Sequence, residues 1–226
     1  MDWFNNISPV WQALIATTFT WGITALGALT VCFFKDLNKK VLNTILGFSA
    51  GVMIAASFWS LLSPAIDKSV ELGYIPWVMP ALGFIIGGLF VLFSDKFLDK
   101  ALKNKGEGKD SVKKSILLVS AITIHNIPEG ISISIPIFYA SGSHKKAFFY
   151  TFISGISELI GAIIAYFFLK DIMNDAIMGM LYSVIAGIMI HISFSELLPT
   201  SLQYKKEYST IIYFILGVSV MLINHF

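Results

Sequence analysis

Apolar residues in this chain fall in long runs split by short polar stretches, without the stripes of soluble helices or the alternation of strands. Seven runs approach the about 20 apolar residues that a helix needs to cross a bilayer. They are roughly Val10–Phe34, Val41–Ile66, Trp77–Phe93, Ser115–Ala140, Ala147–Leu169, Ile177–Leu198 and Thr210–Ile223, the last being the shortest. The pattern predicts an all-α, polytopic membrane helix bundle of about seven transmembrane segments, one integral-membrane domain over residues 1–226. A charged fraction of 13% supports it, since a soluble domain carries about 25%.

Within the runs, small residues predict close helix packing. The first has several Thr and Gly, the second Gly47, Ala50, Gly51, Ala55 and Ala56, and the third a GxxxG pair at Gly83 and Gly87. Met53, Ser57 and Ser60 give the second run a weakly polar stripe. A lone methionine in such a place is far more often a gap-filler than a ligand. Pro64 is expected to bend or end that helix.

The charges lie mostly in loops, so the net +2 says little about partners, and no nucleic acid is expected. Residues 95–114 form the one sizeable polar loop, with Lys96, Lys100, Lys103, Lys105, Lys109, Lys113 and Lys114. Positive charge favours the cytoplasmic side. Lys35, Lys39 and Lys40 place the first loop there too, which leaves the N-terminus outside. KGEGKD within the long loop lacks the first glycine and the hydroxyl of a phosphate-binding loop, so no ATP hydrolysis is expected. Cys32 is the one cysteine, which excludes a disulfide framework and a Cys-based zinc site. The polar N-terminus lacks the basic start of a secretory signal and is expected to be retained.

The chemistry concentrates in SILLVSAITIHNIPEGISISIPIFYA, residues 115–140. Ionisable groups at membrane depth are costly and mark function by default. His125 and Glu129 are four residues apart and share a helix face. Pro128 leaves the Ile124 carbonyl without its usual donor. With Asn126 this groups an imidazole, an amide oxygen, a carboxylate and a free carbonyl, a set suited to borderline and hard divalent cations. Glu158, in SGISELIGA, is a second carboxylate in an apolar run; it is paired, protonated or on a metal. A hydrogen-bonded helix contact remains the alternative. His191, Ser195 and Glu196 lie before Pro199, where solvation near an interface would also account for them. His144 and His225 read as ordinary loop and terminal residues.

HNIPEG, followed by SGISELIGA and then HISFSELLP, resembles the ZIP family of divalent metal transporters, and GFSAGVMIAASFWSLLSPAI is most similar to its GufA-like bacterial branch. The resemblance covers nearly the whole chain. It implies eight helices, a metal site mainly between the fourth and fifth, and import towards the cytoplasm without ATP. Zinc is the usual substrate, with Fe, Mn, Co or Cd as secondary ions, and a homodimer is common. No cofactor is implied. Carried onto this sequence, the metal ligands are His125, Asn126 and Glu129, with Glu158 from the family's sixth helix and Met53 from its second. His191 and Glu196 match a polar cluster on the seventh helix, and these with Ser57 are candidates for the metal's path. The bacterial inner (cytoplasmic) membrane is the expected location.

The chain departs from the family in one respect. The family carries an HNxPEG-type motif on both the fourth and fifth helices, and here there is one copy. Residues before it look like the start of the fourth helix, and residues after it like the end of the fifth. A missing helix inverts every later loop. A single crossing by 115–140 then sets two of three later loops against the lysine bias; a re-entrant path restores it but needs cover for irregular backbone. The single crossing is the simpler geometry and is the expectation. The function expected is ZIP-like transport of a divalent cation; the alternative is a transport-inactive metal-binding membrane protein, a degenerate paralogue, sensor or partner subunit. An enzyme is not expected, since the helical zinc-protease pattern HExxH is absent.

Overall fold

The computed structural model describes residues 7–29, 32, 39–102, 134, 137–138, 141–169, 171–202 and 207–225. Their regular structure is all helical. In chain order it comprises α1 (Pro9–Leu29), α2 (Lys39–Ala56), α3 (Ser63–Glu71), α4 (Val78–Leu102), α5 (His144–Leu169), α6 (Asp175–Ile192), α7 (Leu198–Leu202) and α8 (Glu207–His225). One π turn, Ser57–Leu62, joins α2 to α3, and another, Ser193–Leu197, joins α6 to α7. The continuous helices Asn43–Glu71 and Asp175–Leu202 are long and apolar enough to cross a membrane, and Leu14–Leu29, Val78–Ser94 and Tyr208–Ile223 are shorter apolar helices.

Helix α4 runs on to Leu102, into the stretch expected to be loop. DKFLDKAL contains neither glycine nor proline, and the next glycine is Gly106, so nothing local stops the helix. Nor does Pro64 end its helix. Upstream of it the backbone widens, and the Ser63 amide donates to the Phe58 carbonyl five residues back. The π turn makes room for a ring that would otherwise collide with the preceding turn. Leu198, just before Pro199, does the same to Ser193.

The chain divides into two compact units, residues 1–35 with 123–173, and 36–122 with 174–226. The second contains an internal repeat. GVMIAASFWSLL (51–62) matches GIMIHISFSELL (187–198), with Gly, Met, Ile, Ser, Phe and two Leu identical. The repeat is structural as well. Met53 and Met189 are each 1% exposed. The hydroxyls of Ser57 and Ser193 donate to the carbonyls of Met53 and Met189, at 2.7 and 2.8 Å.

Packing in this unit is exchanged between the repeats, α2 against α8 and α6 against α4. Glycine makes it possible: a β-carbon at Gly51 would run into the Phe214 carbonyl, and one at Gly217 into that of Phe48. Gly87 meets Val184 and Gly187 meets Phe84 in the same way. Gly83 lies against Met180 and Ser183, so the GxxxG pair packs as expected.

These contacts also give direction. Along α4 and α6, Met79 meets Gly179, Gly83 meets Ser183 and Gly87 meets Ile188, so the two helices run parallel. Gly47 against Thr210 and Gly51 against Phe214 and Val218 make α2 and α8 parallel too. A turn at Leu72–Trp77, in which Gly73 has φ +71°, reverses the chain between α3 and α4. The two repeats are therefore inverted, an arrangement common in transporters.

The far end of α3 is tied to the start of α6 by an ion pair between Lys68 and Asp175. Asn174 caps α6, its side-chain oxygen accepting from the Ile177 amide at 2.9 Å.

Candidate metal centre

His125, Asn126 and Glu129 lie outside the described residues. From the same stretch, Ser134, Ile137 and Phe138 are helical and buried. Among the described residues no three His, Cys, Asp or Glu side chains gather closely enough to hold a metal.

The first unit holds Glu158. It lies midway along α5, 8% exposed, among FISGISELIGAII. Its Oε2 accepts a hydrogen bond from the Thr20 hydroxyl of α1 at 2.9 Å. Its Oε1 is buried with no hydrogen-bond partner among the described residues. Leaving such an oxygen unmatched costs about 1–3 kcal/mol, more if charged. Thr20 is also 3.0 Å from the Thr17 carbonyl. A hydroxyl has one proton and satisfies one acceptor fully at a time.

What brings α1 to Glu158 is a tryptophan. The Trp21 indole N–H donates to the Phe152 carbonyl at 2.9 Å, and the ring lies 4.7 Å from that of Phe152. Gly155 lets the indole lie against the α5 backbone, since a β-carbon there would strike the ring. Both contacts lie on the N-terminal side of Glu158 along α5, about one and two turns away. Sequence reading saw α1 as packing alone and missed Thr20 and Trp21. The signal was present in Thr17, Thr20 and Thr24, whose spacing puts three hydroxyls on one helix face.

The remaining candidates are in the second unit. Met53 and Ser57 are buried where α2 meets its π turn. His191 ends α6 and Glu196 lies in the other π turn, both half-buried. Each π turn has contacts with the opposite repeat's broken helix. Met53 has an exact counterpart in Met189, which sequence reading did not notice.

Two comparisons bear on identity. The profile of the family described as ZIP Zinc transporter matches residues 8–116 and, separately, 108–225. "Zinc transporter ZupT" of Clostridium perfringens is 35% identical, with 97% of each chain covered. "Zinc transporter ZupT" of Streptococcus mutans is 33% identical over 95% of this chain and 97% of its own, and that of Lysinibacillus sphaericus 32% over 92% and 94%. The first alignment spans 277 positions, against 226 residues here, so at least 51 positions of it have no residue in this chain. With both halves matched to one profile, the chain belongs to the ZIP zinc transporter family, whose members are integral-membrane transporters rather than enzymes.

Proposed function

We propose that this chain carries a divalent cation, zinc first, across the bacterial inner membrane towards the cytoplasm, as one transporter domain over residues 1–226. The cation sheds water at His125, Asn126 and Glu129, Glu158 completes the charge, and Met53 offers a thioether. His191, Glu196 and Ser57 line its path. Fe, Mn, Co and Cd are secondary substrates, and the 95–114 stretch faces the cytoplasm. The exposed apolar faces of α4 and α8 meet lipid or a second copy of the chain. Transfer follows when the elements holding the ion shift against their neighbours, as in other inverted-repeat carriers.

The supporting observation is Glu158, a carboxylate in an apolar helix with one oxygen held by Thr20 and the other unpartnered. Zinc uptake into proteoliposomes tests the reading. Saturable uptake by the intact chain, lost in Glu158→Gln and Glu129→Ala, supports it. The alignment positions without residues favour a second reading, in which one span and one HNxPEG-type motif are gone and the chain binds metal without moving it. Zinc bound by the pure protein with no flux would establish that alternative.

A further inference from the structure

Thr24 is 1% exposed, and its hydroxyl has no hydrogen-bond partner among the described residues. It lies one turn beyond Thr20 on the same face of α1, about 6 Å along the axis. Helices α1 and α5 run in opposite directions: Thr20 meets Glu158, and the next residue, Trp21, meets Gly155 and Phe152. Moving from Thr20 to Thr24 therefore matches moving back along α5 from Glu158 to Ser154 and Thr151, both buried. Thr151 donates its proton to the Ala147 carbonyl at 2.9 Å, which leaves its oxygen lone pairs available. Among its described residues the unit thus has two buried oxygens without partners, Glu158 Oε1 and Thr24 Oγ, on facing helices. Oxygen donors of this kind suit divalent cations. If the N-terminus lies outside, as the loop lysines favour, α1 descends inward and Thr24 is on the cytoplasmic side of Glu158.

We propose that Thr24 is an oxygen ligand for the transported cation, the station it reaches after Glu158 on its way inward, with Thr20 holding the carboxylate in place between the two. The idea rests on the transport reading above and adds a residue to it. A buried hydroxyl that bonds nothing costs stability, and replacing it by a methyl of the same shape is neutral or favourable. A chain that keeps such a hydroxyl for the ion therefore gains stability and loses transport when it is removed.

Zinc uptake into proteoliposomes and the thermal midpoint in detergent are measured for the intact chain, Thr24→Val and Thr24→Ser. Thr24→Val is expected to lower uptake at saturating zinc about ten-fold, with KM little changed and the midpoint unchanged or raised. Thr24→Ser keeps the oxygen and stays close to the intact chain. Uptake by Thr24→Val equal to that of the intact chain overturns the proposal and leaves the transport reading standing. A loss of uptake accompanied by a lowered midpoint also overturns it, because the hydroxyl is then structural. If the intact chain moves no zinc, the transport reading fails first and this ligand role goes with it.

Discussion

The Trp21 indole occupies the space that a side chain at position 155 would need, and this fit holds α1 against α5 at the level of Glu158. Gly155→Ala drives the ring off the helix. Overpacking of this kind costs about 1–3 kcal/mol, read as a lower thermal midpoint, and zinc uptake falls as Glu158 loses Thr20. Trp21→Phe, a smaller ring, recovers part of the loss in the double variant. Additive losses would mean that the two residues do not share the contact.

Glycines in the same helices differ sharply in what they can tolerate. At Gly87 and Gly187 a β-carbon meets a backbone carbonyl of the partner helix, whereas at Gly88 nothing lies within 4 Å. Alanine at Gly87 or Gly187 is expected to separate α4 from α6 and lower the midpoint. Gly88→Ala should leave the midpoint unchanged or raise it, since a helix prefers alanine to glycine by about 1 kcal/mol.

The repeat provides an internal control for Met53. Met53 and Met189 are equally buried at matching positions, so packing alone predicts the same small midpoint change, under about 1.5 kcal/mol, for Met53→Leu and Met189→Leu. A ligand role for Met53 adds an asymmetry, weaker zinc uptake in Met53→Leu only. Calorimetric zinc titration of both variants decides it, and matched affinities would remove Met53 from the ligand set.

Acid should weaken transport. A histidine ligand binds metal through a neutral ring, and proton uptake removes the lone pair it uses. Uptake measured from about pH 8 down to 5, where an ordinary imidazole gains its proton, is expected to fall. A flat profile would argue against His125 as ligand.

Much of the fold was legible in the sequence because membrane helices announce themselves by run length. The starts of α1 and α6 and both ends of α5 and α8 fall within three residues of expectation. The breaks were harder to read. Pro64 signals disturbance, but whether a helix stops, bends or widens depends on the turn before it, where Ser57 and Phe58 rearrange the bonds. The parallel pairing of α4 with α6 was also hidden, since it depends on small residues about a hundred positions apart, Gly83 and Gly87 against Ser183 and Ile188. In the site, Glu158 was visible as a carboxylate in the wrong solvent. Thr20 was not, since a threonine in a membrane helix looks like any other until its neighbour is known.

The exchange of partners between the repeats has a consequence for synthesis. Gly51 emerges from the ribosome 166 residues ahead of Gly217, whose helix covers it. At ordinary translation rates its bare face waits on the order of ten to thirty seconds. During that time α2 and α4 are in the bilayer with their main contacts unmade, and a chain cut short before α8 would leave the Gly51 face open to any other helix nearby.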